Sequence, residues 1–145
     1  MSERKTTDLI IIHCAATTAT MDVDAEWIKK IHIQRGFRTI GYHFFIKRDG
    51  TIEVGRGVDE VGAHAYGKNG QSVGICLAGG VNEQNEPEDN FTDEQMKALT
   101  FQVDLLLQRY PHAKVIGHYE VGNKACPSFD VEAWRAENIE QYKND

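Results

Sequence analysis

Four apolar residues in a row, Leu9-Ile10-Ile11-Ile12, three of them β-branched, commit the start of the chain to a buried strand. From there helix and strand signals alternate, with no internal repeat or low-complexity segment. Asp24 caps a helix ending near Gly36, with Val23 and Ile28 placed as a hydrophobic staple and Trp27, Ile28 and Ile31 on one face. Tyr42 to Lys47 and Thr51 to Val54 flank Arg48-Asp49-Gly50, whose Asp-Gly pair predicts a hairpin. Ser72 to Ala78 reads as a second buried strand, followed by a solvated acidic loop with Glu83, Glu86, Glu88 and Asp89. The clearest helix starts at Thr92. Gln95 completes a capping box there, Phe91 and Met96 form a staple, and Met96, Leu99, Val103, Leu106 and Tyr110 recur at helical spacing until Pro111. Lys114 to Gly117 is a short strand, and Asp130 caps a last helix with Phe129 and Trp134 at staple positions. The expected fold is mixed α/β, a single mixed β-sheet flanked by about three helices.

A chain of 145 residues with 41% hydrophobic composition fits one compact domain, expected here over residues 1–145, with residues 1–7 as a short polar arm and no wall-binding module. The formal net charge of -6 and a pI near 5.5 argue against nonspecific binding to nucleic acid or anionic membrane, both of which reward clustered Lys and Arg. The N-terminus is polar and its first apolar run is four residues long, so no signal peptide or membrane span is expected, and the chain is expected to be made in the cytoplasm. Three cysteines, Cys14, Cys76 and Cys126, cannot all pair with one another, and no disulfide is expected. Cys76, within Val73-Gly74-Ile75-Cys76-Leu77-Ala78, reads as a small core hydrophobe.

Chemistry concentrates in the last third, in Gly117-His118-Tyr119-Glu120-Val121-Gly122-Asn123-Lys124-Ala125-Cys126-Pro127. His118 and His13 each end a β-branched run, so two strands can deliver both imidazoles to one edge of the sheet, with Cys126 closing the site from a loop. A His, His, Cys set suits zinc and leaves a tetrahedral ion one open position for water. Linear distance leaves open whether His13 reaches the other two, since a lone histidine at a strand end is often a hydrogen-bonded structural group. A ligating Cys126 must be a thiolate, which a cation at Lys124 favours; Lys124 equally fits a solvated loop lysine. Tyr42 reads as a site residue or as a half-buried strand aromatic, and His43 falls on the opposite face of an extended segment. The six glycines from Gly55 to Gly74 make a stretch too flexible for a helix and too long for an ordinary connection, so it lines something, with His64 in its middle. His32 and His112 fit surface or packing roles. Cys14 invites a Cys-His peptidase reading, but a thiol nucleophile does not account for His118, Lys124 and Cys126 together, and Cys14 points away from His13 if the strand continues.

Ile12-His13-Cys14-Ala15-Ala16-Thr17, Gly41-Tyr42-His43-Phe44, Lys47-Arg48-Asp49-Gly50, Gly62-Ala63-His64-Ala65 and the run from His118 to Asp130 resemble the zinc-dependent N-acetylmuramoyl-L-alanine amidases of the type 2 family, its phage lysins above all. The resemblance runs in unbroken order from about Thr7 to Trp134. It implies a peptidoglycan-recognition-like fold and one Zn2+ held by His13, His118 and Cys126. It also implies hydrolysis of the amide joining the muramic acid lactyl group to L-alanine. Lys124 would stabilise the oxyanion, a contact worth roughly 2.7 to 4 kcal/mol in comparable sites. Tyr42 would orient or deprotonate the attacking water, and His64 would contact substrate or the developing charge. No carboxylate pair stands out for glycosidic cleavage, which uses two about 5 to 10 Å apart. The resemblance further implies an endolysin, acting as a monomer on the wall after release through a separate membrane pore. A second role it implies is binding to a phage RNA polymerase.

Overall fold

The computed structural model describes residues 2–122 and 125–143. Its centre is a five-stranded sheet of β1 (Leu9–Cys14), β2 (Phe44–Ile46), β3 (Ile52–Val54), β4 (Ser72–Leu77) and β5 (Lys114–Gly117), in the order β3-β2-β4-β1-β5. The pairs β2/β4, β4/β1 and β1/β5 are parallel, and β2/β3 is an antiparallel hairpin turned at Gly50. Parallel neighbours need crossover connections, and these supply the helices that cover the sheet.

Side chains alternate across the strands, so each face meets its own cover. Ile10, Ile12, Val73, Ile75, Leu77 and Val115 pack against α2 (Asp93–Arg109) and α3 (Val131–Asn138) through Leu99, Val103, Leu106 and Trp134. On the other face Phe45 and Cys76 pack with Ile28 of α1 (Ala25–Gln34), while Ile11 and Ile116 meet Ala65 from the glycine-rich stretch. A short α4 (Glu140–Lys143) follows α3, so among the described residues four α-helices stand where about three were expected. Asp24, Thr92 and Asp130 all cap as the sequence predicts, and Thr92 and Gln95 form the reciprocal capping box.

One element is shorter than the sequence reading. The strand predicted from Tyr42 to Lys47 is regular over Phe44–Ile46, and irregular pairing continues before it, His43 N–H donating to the Gly74 carbonyl at 3.0 Å and the His43 and Tyr42 carbonyls accepting from Gly55 and Arg56 N–H at 2.9 Å. The polar arm is docked. Arg4 N–H donates to the Asp59 carbonyl at 2.6 Å, its guanidinium donates to the Glu60 carbonyl at 3.0 Å and to the Tyr110 hydroxyl at 3.1 Å, and Val61 N–H donates to Ser2.

Candidate metal centre and cleft

The register of β1 against β5 pairs Ile12 with Gly117, so the next residues, His13 still within β1 and His118 just past the end of β5, lie side by side at the same end of the sheet. Adjacent parallel strands end together, and the crevice beyond their carboxyl ends is where such sheets gather functional groups. The His13 and His118 rings lie 4.4 Å apart, centroid to centroid. Cys126 returns from the following loop, its Sγ accepting from the Cys14 backbone N–H at 3.2 Å. One ligand atom from each of His13, His118 and Cys126 falls within 4.8 Å of the other two.

These three side chains form part of the wall of a cavity of about 480 Å³, together with Tyr42, His64 and His32. Its size suits a small-molecule or peptide-like ligand. His13 is buried, and burial first, then the neighbouring imidazoles, holds its pKa well below the ordinary histidine value, so the ring is neutral. His118 is lowered by burial as well. Cys14 and Cys126 share a hydrogen bond: it brings Cys14 down to about 7 against the opposing effect of burial, and with burial pushes Cys126 up. Two neutral imidazoles and a thiol one deprotonation away from a thiolate are a donor set suited to zinc, whose charge drives such a thiol to ionise.

A model of the N-acetylmuramoyl-L-alanine amidase family matches residues 3–129. The chain belongs to this family. As a member it is an N-acetylmuramoyl-L-alanine amidase, and its relatives bear the fold out. It is 46% identical over 137 residues to the endolysin of Klebsiella phage KP32, covering 94% of this chain and 91% of that one. Against the endolysin of Escherichia phage T7 the identity is 43% over 136 residues, covering 94% and 90%. Among solved structures, the N-acetylmuramoyl-L-alanine amidase LysC from Clostridium intestinale superposes with a TM-score of 0.79 at 30% identity, covering 94% of this chain and 92% of that one.

Within this amidase, each residue singled out from sequence has a definite place. Tyr42 borders the cavity with its ring 5.0 Å from that of His13, and it packs against the buried cluster that contains Cys76. Burial, then the nearby sulfurs, raises the phenol well above its ordinary value. His43 sits behind the cleft, accepting from Gly74 N–H at Nδ1 and donating to the Glu60 carbonyl, so it does not share the cavity with Tyr42. His64 is in the cavity wall, its Nδ1 2.8 Å from His13 Nε2. Lys124 and its neighbour Asn123 lie outside the described residues. Cys76 is fully buried, and Cys14, Cys76 and Cys126 are free thiols. Cys14 is turned toward Cys126 and Ser128 and also borders the cavity.

Sequence reasoning gave His32 a surface or packing role, and it does pack, its Nδ1 accepting from Gly41 N–H at 2.8 Å. The same ring also lines the cavity. A signal for it was present: His32 follows Ile28 by four residues, which puts a polar group on the buried stripe of α1. Tyr66, 99% exposed at the rim, carried no such signal, because nothing in the local pattern distinguishes a rim aromatic from a solvated one.

Proposed function

We propose that the chain is a phage endolysin that cleaves the amide between the muramic acid lactyl group and L-alanine of peptidoglycan, with one zinc ion held by His13, His118 and Cys126. The observation that carries this reading is the convergence of those three donors, within 4.8 Å of one another, on the wall of an open cleft. When bound there, zinc supplies a Lewis acid for the amide carbonyl and lowers the pKa of water toward ~7. The chain's own residues do the rest. The cleft has room for the lactyl-peptide junction, with Tyr42 in its wall. The Tyr42 phenol, held protonated by burial, orients the attacking water and can pass a hydrogen bond to the departing nitrogen. Lys124 is assigned to the oxyanion on the strength of its motif, and His64 borders the substrate path.

Purified protein incubated with peptidoglycan should release peptides bearing new L-alanine amino termini, with no increase in reducing sugar ends. Chelation should abolish release and added zinc restore it; release that persists in chelator would reject the zinc reading. Among the described residues no helix is long and apolar enough to cross a membrane, in keeping with a lysin made in the cytoplasm that depends on a separate pore to reach the wall. The contact with a phage RNA polymerase is a separate reading, tested by pull-down with the cognate polymerase; absence of binding at micromolar concentration removes it.

A further inference from the structure

His64 stands outside the proposed ligand set, yet it is tied to it by a directed series of hydrogen bonds. Its Nδ1 is 2.8 Å from His13 Nε2, and its Nε2 is 3.2 Å from Ser72 Oγ. Ser72 Oγ is in turn 2.7 Å from the Lys68 carbonyl. A carbonyl oxygen only accepts, so the hydroxyl hydrogen of Ser72 must lie between the two oxygens. Ser72 Oγ is then left with lone pairs, and the group facing it, His64 Nε2, must carry the hydrogen. A neutral imidazole has one N–H, which makes His64 Nδ1 a bare acceptor. His13 must therefore donate from Nε2–H, and its one remaining lone pair is on Nδ1. A charged His64 would alter this sequence, but a second cation among the His13, His43 and His118 rings and beside a metal ion is opposed by repulsion and burial.

The place of the ring is built, not incidental. A Cβ on Gly74, in the middle of β4, would meet His64 ring atoms at 2.6 Å, and one on Gly62 would meet the ring at 2.7 Å. Glycine inside a strand weakens it and marks a close approach, which here is the imidazole lying on the backbone of β4. Asn69 Oδ1 accepts from the backbone N–H groups of both His64 and Ala65, at 2.9 and 3.0 Å, and so fixes the loop that carries the ring.

We propose that the Lys68 carbonyl, Ser72 and His64 form a one-way hydrogen-bond relay that sets the tautomer of His13 and leaves Nδ1 as its metal-binding nitrogen. His64 is thus a positioning residue for a ligand. The proposal rests on the reading of His13 as a zinc ligand. A ligating histidine ordinarily donates its other N–H to a carboxylate, carbonyl or water. Here a second histidine takes that role, with a serine and a carbonyl behind it.

The decisive measurement uses the unaltered protein. Long-range 1H–15N correlation spectra of the labelled chain, before and after addition of zinc, should show His13 and His64 both protonated at Nε2, with the His13 Nδ1 resonance displaced by the metal. A His64 ring protonated at Nδ1, or a His13 ring coordinating through Nε2, overturns the relay. Zinc affinity, read by competition with a chromophoric chelator, should fall about 10- to 100-fold in His64→Ala, the usual cost of losing an outer partner. His64→Asn, whose Oδ1 occupies nearly the place of Nδ1, should recover most of it. An affinity unchanged in His64→Ala, with melting confirming a folded protein, rejects the proposal. Failure of the underlying reading looks different, since His13→Ala would then retain zinc.

Discussion

At the scale of single residues, the two thiols at the cleft have separate tasks. In the proposed centre Cys126 supplies a donor atom, whereas Cys14 supports it from outside the ligand set, with a backbone N–H 3.2 Å from Cys126 Sγ that any residue would provide and a neighbouring thiol. Cys126→Ala should therefore lose zinc and amidase activity together, and Cys14→Ala should keep the metal. Metal analysis of the purified variants checks both, and loss of zinc from Cys14→Ala would mean that its thiol ligates. Tyr42 allows a sharper test, because burial keeps its phenol protonated far into the alkaline range. Tyr42→Phe should retain zinc while kcat falls by about 10² to 10⁴, the range for a positioned proton-transfer group. Wild-type activity should show no decline attributable to phenol ionisation near pH 10. The packing of Tyr42 against the cluster of Cys76 was not legible in the sequence. Cys76 reads correctly as core, but only the pairing of β2 with β4, Phe45 beside Cys76, brings that residue into the cluster against which Tyr42 packs.

At the scale of elements, Gln95 shows how much local patterning reveals and where it stops. Thr92 and Gln95 are recognisable as a capping box, and the box is present, with Gln95 Oε1 accepting from Thr92 N–H at 3.0 Å. The same side chain is fully buried and does more. Its Nε2 donates to the carbonyls of Ile46 at 3.2 Å and Ala78 at 2.7 Å, and its Oε1 also accepts from Arg48 at 3.2 Å. The start of α2 is thus fastened to the ends of β2 and β4, a tertiary contact that no spacing rule contains. Gln95→Ala should cost about 3 kcal/mol of unfolding free energy, against about 1 kcal/mol for Thr92→Ala, since it removes three further buried hydrogen bonds as well as a cap, although the Ile46 carbonyl keeps Ala78 N–H and the Ala78 carbonyl keeps Arg48. Urea denaturation of both variants gives the comparison, and equal losses would reduce Gln95 to a cap. The strand ends were legible for the opposite reason. A β-branched run followed by histidine occurs twice, and the parallel register of β1 with β5 turns that repetition into proximity. Distance across the sheet was the missing quantity, and topology supplies it.

At the scale of the whole molecule, the polar interior is built from neutral histidines, and that makes stability depend on pH in a defined direction. His43 is fully buried, and burial first, partly offset by its bond to the Glu60 carbonyl, with Arg4 and Arg56 adding repulsion, lowers it to about 4. His64 falls to about 3 for the same leading reason, and His32 is lowered by burial with Arg35 and Arg56. An unfolded histidine titrates near 6.5, so between that value and the depressed folded one the unfolded chain binds more protons. Stability from these groups is complete above about pH 6.5 and is lost as pH falls toward 4. His43 alone spans about 2.5 units at ~1.36 kcal/mol each, roughly 3 kcal/mol at most. Most carboxylates remain ionised down to about pH 4.5, so the upper part of the window isolates the histidines. The urea midpoint of zinc-free protein should be level above pH 7 and fall steadily from 6.5 to 4.5. Zinc-loaded protein should fall more steeply, because protons then also compete with the metal for His13 and His118. A zinc-free midpoint unchanged between pH 7 and 5 would mean that the buried rings keep ordinary pKa values, and that the interior is held together by something other than their neutral hydrogen bonds.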